Sequence, residues 1–287
     1  MSKTLALHGL LQPKELCAIV DIGANPIEDT APYASLLDLG LCRVVGFEPL
    51  AEGLAALEAK KGPNETYFGH AIGDGERHRL RVCRAPGMSS LLQPSKAAAE
   101  ILAAFRVFGE VEREEEVATR KLDDLAEVKA MDFLKIDVQG SELEVFRNGA
   151  TKLGRAVVIQ TEVAFFPLYE DQPLFADVDA ELRRQGFMAH TFFPGIKRWC
   201  IAPMVVNGNP RAGLNQMLDA DLVYVRDLFA MDQLDDEQLK QMALVVHACY
   251  GSFDLTLRCI ELLEARGALG QGAKVRYMQI LQAPEKK

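Results

Sequence analysis

The stretch MDFLKIDVQGSELEVFRNGATKL, residues 131–153, carries the signals of a strand, a tight turn and a helix in immediate succession. Its first part is apolar apart from Lys135 and ends at Asp137, which indicates a buried strand with an acid at its carboxyl end. Gly140 marks a turn, and a helix is expected directly after it, with Glu142 in its first turn. Such a unit is typical of a parallel sheet covered by helices.

The same alternation of strand and helix signals extends in both directions from this unit. Short β-rich runs predict parallel strands at residues 17–21, 43–48, 65–70, 132–137 and 155–162. Helical spacing occurs in residues 30–40, 50–62, 141–154 and 175–186, which mostly end in glycine, a common C-cap residue. Residues 77–85 and 114–122 predict an antiparallel insertion, and residues 187–193 and 219–227 predict two further strands joined by a long loop that includes residues 195–203. We therefore predict an α/β fold with a mostly parallel sheet flanked by helices.

Beyond residue 230 the sequence contains only helix signals. Residues 235–249, 252–267 and 270–283 combine capping residues with apolar spacing. We expect a helical C-terminal extension over residues 230–287, which follows a main domain over residues 1–229. The apolar positions of these helices need a surface to cover. This chain's own domain is the favoured surface, and a second copy in a homodimer is the alternative.

Composition and charge restrict the class of protein. The 287 residues have a net charge of -9, and the acids concentrate in residues 109–127, so a nucleic-acid partner is not expected. Six cysteines are scattered without CxxC spacing, which predicts reduced thiols in the cytoplasm and gives no metal signature. No run reaches about 18 apolar residues, the length that spans a bilayer, so membrane insertion is not expected either.

The first predicted strand leads into VDIGANPIEDTAPY, residues 20–33, where a doubly wound sheet approaches a nucleotide. Gly23 allows close backbone approach, and Asn25 tolerates a left-handed conformation. Two acids stand where a dinucleotide's pyrophosphate would sit, and the GxGxxG glycines are missing, so NAD and FAD are disfavoured. Glu48, at the end of the second strand, suits the two hydroxyls of a ribose. A ribose without a pyrophosphate, beside acids that tolerate a sulfonium, suggests S-adenosylmethionine.

With these two segments, VDIGAN and KIDVQGSE, the sequence resembles the FkbM-type methyltransferase family, whose hallmark is a KIDVEGxE-like segment preceded by a VDIGAN-like first motif. The segments AIGDG, SSL, KLDDL and IQTEV also fall in the family's order, so the resemblance covers roughly residues 17–227. It implies a class I, Rossmann-like methyltransferase fold with a seven-stranded sheet and one antiparallel strand. It also implies methyl transfer from S-adenosylmethionine, usually to a hydroxyl of a sugar, a glycan or another natural product.

The resemblance further implies roles for individual residues. The cofactor-binding residues it implies are Asp21, Gly23, Ala24 and Asn25 in the first motif, Glu48 at the ribose, Ala71, Ile72 and Asp74 near the adenine, and Asp137 at the methyl end. Gln139 stands where the family commonly has Glu. A hydroxyl acceptor must lose its proton near the transition state, so a carboxylate or His within hydrogen-bond reach is needed. The candidates for this catalytic role are Asp137, Glu142 and Glu162, followed by His190.

Two classes of function remain open at this level. The first is an O-methyltransferase acting on a small molecule or glycan. The second is a catalytically inactive cofactor-binding or protein-interaction module that uses the C-terminal helices. Some candidates also have a structural interpretation: Glu142 suits a helix N-terminus, His190 suits a structural histidine, and Lys135 is expected to pair with a neighbouring acid.

Overall fold

The computed structural model describes residues 2–24 and 30–284, which form a large sheet, a small sheet and helices on both faces of the large one. The strands are, in chain order, β1 (Cys17–Ile22), β2 (Cys42–Phe47), β3 (Glu65–Phe68), β4 (Ala71–Ile72), β5 (Arg77–Cys83), β6 (Val111–Arg120), β7 (Phe133–Ile136), β8 (Val158–Ala164), β9 (Phe187–Trp199) and β10 (Gln216–Arg226). The helices are α1 (Lys3–Leu11), α2 (Ala34–Asp38), α3 (Ala51–Lys60), α4 (Lys96–Ile101), α5 (Ala103–Phe108), α6 (Glu142–Arg147), α7 (Ala150–Leu153), α8 (Phe175–Arg184), α9 (Asp236–Tyr250), α10 (Phe253–Ala265) and α11 (Ala273–Gln282).

The large sheet has seven strands in the order β3-β2-β1-β7-β8-β10-β9. The first five strands in this order, from β3 to β8, pair in parallel. β10 runs antiparallel to both of its neighbours, β8 and β9. This arrangement confirms the predicted class I methyltransferase fold. The chain moves outward from β1 to β3 and returns to place β7 beside β1, so the strand order reverses between β1 and β7. In open α/β sheets, ligands bind at the carboxyl ends of the strands beside such a reversal.

Several predicted segments differ from their observed boundaries. The helix predicted over residues 141–154 is two helices, α6 and α7. The insertion between β3 and β7 is antiparallel as expected, but β6 begins at Val111. In addition, β9 continues to Trp199, whereas the sequence predicts a loop over residues 195–199. This part of β9 becomes a strand because it pairs with the first residues of β10, where Trp199 is opposite Gln216 and Arg198 is opposite Met217. The extension brings Lys197 to the carboxyl-end side of the sheet, beside β10.

The C-terminal helices share a hydrophobic core with one face of the large sheet. Strand residues such as Ile19, Phe133 and Val223 pack in the same buried cluster as Met242 and Val246 of α9. Burying such apolar surface is the dominant favourable contribution to folding, so α9 is an integral layer of the fold. In the described part of the chain, no helix is both long and apolar enough to cross a bilayer.

Candidate active site

Polar side chains form two adjacent rows at the carboxyl ends of the central strands. Asp21, Lys135 and Gln160 are direct partners in register across β1, β7 and β8. Such partners point to the same face of a sheet. α9 packs on this face nearer the amino ends of β1, β7 and β8. Residues two positions further along a strand point to this face as well. The second row consists of Asp137, just beyond β7, Glu162 on β8 and Asp221, the direct partner of Glu162 on β10.

A cavity of about 630 Å³ opens over these rows. It extends from Glu48, past Gly23 and Asp137, to Asp221 and Phe193. Of the predicted site residues, it is lined by Asp21, Gly23, Glu48, Ala71, Ile72 and Asp137. Among the residues that the structure describes, Ala24, Asp74, Glu142 and Glu162 do not line it, and Asn25 lies outside the described residues. The structure therefore brings six of the predicted residues together around one space.

Lys135 holds the end of β1 through an ion pair. Its Nζ lies 3.4 Å from Oδ1 of Asp21 and donates to the carbonyl oxygen of Gly23 at 3.3 Å. Tyr33 donates its hydroxyl to the other oxygen of Asp21 at 2.6 Å. Burial acts to lower the pKa of Lys135, but the carboxylates of Asp21 and Asp137 outweigh it and raise this pKa. The expectation that Lys135 pairs with a neighbouring acid is confirmed.

Gly23 has a backbone conformation and a position that exclude a side chain. Its φ is 77°, in the left-handed region, and a Cβ on it would overlap the carbonyl oxygen of Asp137. The amides of Gly23 and Ala24 both donate to the carbonyl oxygen of Phe47, at 3.0 and 3.1 Å. The turn is therefore fixed between β2 and β7 and passes close beneath the cavity.

Glu48 is a buried carboxylate at the end of the cavity opposite Asp221. Its Oε1 accepts a hydrogen bond from the amide of Leu50 at 2.8 Å, and Oε2 has no hydrogen-bond partner among the described residues. Burial raises the pKa of Glu48, and the Leu50 hydrogen bond opposes that rise. A Cβ on Gly53 would come within 2.9 Å of the Glu48 side chain, so this glycine gives the carboxylate its space.

An aromatic cluster borders the same end of the cavity beside Ala71 and Ile72. The rings of Phe47, Phe68 and His70 lie side by side with similar ring planes, and 5.9 to 6.3 Å separate each pair of ring centroids. Phe47 and His70 line the cavity. A flat, mostly apolar wall of this kind suits a planar heterocyclic ring.

Asp74 and His190 make their contacts away from the cavity lining. Asp74 accepts from the amide of Glu76 at 2.9 Å and is 2.8 Å from Nε2 of His78, which fixes the turn before β5. The Nε2 of His190 lies 2.7 Å from the hydroxyl of Ser252. Burial lowers the pKa of His190.

Gln139 connects two of the acids. Its Nε2 donates to Oδ1 of Asp137 at 2.7 Å and to Oε1 of Glu162 at 3.2 Å. Lys197 lies 3.3 Å from the other oxygen of Glu162 and 3.0 Å from Asp219. Burial raises the pKa of Glu162, as do the charges of Asp137 and Asp219, while Lys197 opposes the rise. The amide can donate to both carboxylates, which an ionised glutamate at this position could not do.

Glu142 uses both carboxylate oxygens to hold the loop after β7. They accept from the amides of Val138 and Gly140, each at 2.9 Å. Burial, and to a smaller extent the charge of Asp137, raises the pKa of Glu142 to about 7. The side chain therefore fixes the loop that carries Asp137 into the cavity.

Two residues that were not predicted from the sequence, Gln160 and Asp221, line the cavity next to Asp137. The Oδ2 of Asp221 accepts from Gln160 at 3.3 Å, and Oε1 of Gln160 accepts from the hydroxyl of Tyr250 at 2.8 Å. Burial, followed by the charge of Asp137, raises the pKa of Asp221 to about 6. The sequence signal that could have revealed these two residues is a polar side chain within each of two mostly apolar strands, β8 and β10. Across residues 2–24 and 30–284, no cluster of three or more His, Cys, Asp or Glu side chains is arranged to hold a metal ion.

Comparison with protein families gives a match over more than half of the chain. The model of the methyltransferase FkbM domain matches residues 21–188. No curated protein matches.

Solved structures give more distant similarities. Magnesium protoporphyrin IX methyltransferase from Synechocystis PCC 6803, solved with bound SAM, is 12% identical over 78% of each chain, with a TM-score of 0.39. Precorrin-6y C5,15-methyltransferase from Geobacter metallireducens GS-15 is 15% identical over 78% of this chain and 86% of that chain, with a TM-score of 0.36. Similarities this distant carry no argument about the reaction.

Proposed function

Since the chain belongs to the FkbM methyltransferase family, we propose that it transfers a methyl group from S-adenosylmethionine to a hydroxyl oxygen of a small-molecule acceptor, such as a sugar or another natural product. The observation that carries this proposal is that Glu48, Gly23 and Asp137 line the same cavity. These residues follow three neighbouring strands at the reversal of strand order, where an elongated nucleoside ligand fits.

The lining of the cavity suits the successive parts of S-adenosylmethionine. Glu48, with an oxygen not used by the described residues, is assigned to the ribose hydroxyls. The wall formed by Phe47, Ala71 and Ile72 is assigned to the adenine. Asp21, Gly23 and the rest of the first motif, Ala24 and Asn25, are assigned to the methionine portion, and Asp137 to the methyl end. Asp74 then acts at the adenine end indirectly, by fixing the turn after Ile72.

Methyl transfer requires alignment of three atoms and removal of one proton. S-adenosylmethionine supplies an electrophilic methyl group on a sulfonium. The acceptor oxygen bonds to the methyl carbon as the carbon–sulfur bond breaks, and the electron pair of that bond remains on sulfur. Holding these atoms in line accounts for much of the rate. We assign uptake of the hydroxyl proton to Asp137, which lines the cavity and is oriented by Gln139.

Glu142 and Glu162 contribute to catalysis through Asp137 in this account. Glu142 holds the loop that follows β7, and Glu162 accepts from the same Gln139 amide as Asp137. Burial and the charges of Asp137, Asp219 and Glu142 raise the pKa of Glu162 against the opposing charge of Lys197, so this carboxyl retains its proton to a higher pH than an isolated carboxyl does.

We also propose that residues 1–229 carry the methyltransferase site and that residues 230–287 complete it. The support is that α9 packs on the sheet and that Tyr250, its last residue, reaches Gln160. The six cysteines are all free and buried, which suits a reducing compartment such as the cytoplasm.

Calorimetric titration with S-adenosylmethionine and S-adenosylhomocysteine tests the proposed function. We expect wild type to bind both. We expect Glu48→Gln to bind about 10- to 100-fold more weakly, because a hydrogen bond to a charged group contributes about 1.5–3 kcal/mol. Glu58→Gln is the matched control, because Glu58 pairs with Lys61 at the surface. A folded wild type that binds neither compound would contradict the proposal.

Methyl transfer itself is measured with S-adenosylmethionine labelled in the methyl group and a panel of hydroxylated acceptors. Incorporation that requires Asp137 is the expected result. Incorporation into amines but not into alcohols would contradict the assignment of oxygen as the accepting atom.

A further inference from the structure

The cavity continues beyond Asp137, past the residues assigned to S-adenosylmethionine. Its wall there is built from β8, β9 and β10 and the residues that adjoin them. The side chains are Gln160, Phe193, Pro194, Lys197 and Asp221. A methyl acceptor must lie on the far side of the methyl group from sulfur. This continuation is therefore the space into which the acceptor would fit.

Asp221 is held in this wall by a short chain of hydrogen bonds. Tyr250 donates its hydroxyl to Oε1 of Gln160 at 2.8 Å. That contact fixes the orientation of the amide, because only its nitrogen can then donate to Asp221, as it does at 3.3 Å. Tyr250 is itself fixed by the burial of α9 against the sheet.

Two of the acids around Asp221, Glu162 and Asp219, form ion pairs, whereas Asp221 does not. Lys197 forms ion pairs with Glu162 and Asp219, and Lys135 forms one with Asp21. Among the described residues, Asp221 accepts one side-chain hydrogen bond, from Gln160, and forms no ion pair. An ionised carboxylate has about four acceptor positions, so Asp221 retains capacity to accept from a ligand.

Phe193 gives the same wall an apolar surface. Its ring packs edge-to-face with Tyr250, with 5.3 Å between the ring centroids, and it lines the cavity. A carboxylate beside an aromatic ring suits a ligand with a hydroxyl group and an adjacent apolar face, such as a sugar ring or a hydroxylated cyclic compound.

We propose that Asp221 is the acceptor-binding residue of this site: its carboxylate accepts a hydrogen bond from a hydroxyl of the acceptor. Gln160 and Tyr250 are positioning residues that aim the carboxylate, and Phe193 contacts the apolar face of the acceptor. This inference rests on the proposed function. It gives the C-terminal extension a direct link to substrate binding through Tyr250.

Thiol labelling of Asp221→Cys tests this placement without requiring the natural acceptor. All six native cysteines are buried, so the introduced thiol is the exposed one. We expect it to react with a small maleimide and to change its rate by less than about twofold when S-adenosylhomocysteine saturates the protein. Leu50→Cys, at the Glu48 end of the cavity, is the matched control. There we expect S-adenosylhomocysteine to slow labelling by at least about tenfold.

Three results would overturn the inference. The first is protection of the thiol introduced by Asp221→Cys when S-adenosylhomocysteine binds, which would put this position in the donor site. The second is an unreactive thiol in that variant without ligand, which would mean that the position does not open to the cavity. The third is loss of S-adenosylhomocysteine binding by the isosteric variant Asp221→Asn. Failure of wild type to bind S-adenosylhomocysteine would instead refute the proposed function itself.

A second measurement tests the positioning role of Tyr250. The ionisation of Asp221 is followed by carboxyl ¹³C NMR and assigned through Asp221→Asn. The titratable groups around it are Lys135 and Asp137 from β7 and its loop, Glu162 on β8, Lys197 from β9, Asp219 on β10 and Tyr250 of α9. We expect Tyr250→Phe to raise the midpoint, because the amide of Gln160 is then free to turn away and stop donating. An unchanged midpoint would remove Tyr250 from the inference.

Discussion

Replacing Gln139 by glutamate tests whether this amide holds the buried acids together. In wild type, its Nε2 donates to Asp137 at 2.7 Å and to Glu162 at 3.2 Å. Glutamate removes both hydrogen bonds, each worth about 1.5–3 kcal/mol because the acceptors are charged. It also adds a third carboxyl group to the cluster. We expect the variant to retain one additional proton, because that proton restores a donor and relieves the repulsion.

The retained proton makes the loss of stability depend on pH. A carboxyl whose pKa is raised in the folded state loses its proton on unfolding, when its pKa returns to about 4.3. The free energy of unfolding then falls by about 1.4 kcal/mol for each pH unit between the two pKa values. Relative to wild type, Gln139→Glu should therefore lose up to about 2.7 kcal/mol more at about pH 7.5 than at about pH 5.5.

Urea unfolding of both proteins at these two pH values measures the difference. Gln93→Glu is the control, because Gln93 accepts from Arg81 at 2.7 Å and a carboxylate there gains an ion pair. We expect no added loss at the higher pH for this control. If the destabilisation of Gln139→Glu were equal at both pH values, or larger at the acidic one, the assigned role of the amide would be refuted.

Three further substitutions test other parts of the site. Lys135→Met leaves Asp21 buried without its cation. We expect urea unfolding to show a free energy of unfolding lower by about 3–5 kcal/mol, and the added substitution Asp21→Asn to restore stability. A loss below about 1 kcal/mol would contradict the role of the ion pair. The pKa of Asp221 is raised to about 6, so kcat/KM for the acceptor should rise with pH through that value as the carboxylate forms. Asp221→Asn should lose this rise. A pH profile of kcat/KM that is the same in the variant and in wild type would contradict the role of Asp221. Gly23→Ala puts a Cβ against the carbonyl oxygen of Asp137, and the left-handed φ of this position costs alanine about 1–2 kcal/mol more than glycine. We therefore expect a lower Tm and loss of S-adenosylhomocysteine binding. A variant that matches wild type in both measurements would refute the role of the turn.

The fold and the donor end of the cavity could be predicted because their signals are local in the sequence. Asp21, Glu48 and Asp137 each stand at or just beyond the carboxyl end of an apolar run, and the carboxyl ends of parallel strands meet at one edge of the sheet. The family motifs supplied the class of fold, and the structure gives the strand order. The positions of these three residues around one cavity follow from that order.

The acceptor end could not be predicted in the same way, because it depends on pairing between distant segments. Asp221 meets Glu162 and Gln160 only because β10 inserts antiparallel beside β8, and Tyr250 arrives from a helix still further along the chain. The sequence predicts Lys197 in a loop, and the extended hairpin with β10 makes it part of a strand.

Hydrogen bonding separates acids that look alike in the sequence. Glu142 and Asp137 are both acids near the end of β7, but Glu142 gives both oxygens to backbone amides. Asp137 receives the side chain of Gln139 and lines the cavity. Asp74 similarly belongs to a turn. The backbone geometry that decides these contacts forms only when the loops are folded against the sheet.

The most direct test of the central claim is a double-mutant cycle on the ribose contact of Glu48. Calorimetry would compare S-adenosylhomocysteine with its 2′,3′-dideoxyribose analogue, on wild type and on Glu48→Gln. We expect the analogue to bind wild type at least about tenfold more weakly. This penalty should largely disappear in Glu48→Gln, because the variant and the analogue each remove one side of the same contact. Equal affinity of wild type for both compounds, or a penalty that persists in the variant, would contradict the assignment of this cavity to S-adenosylmethionine.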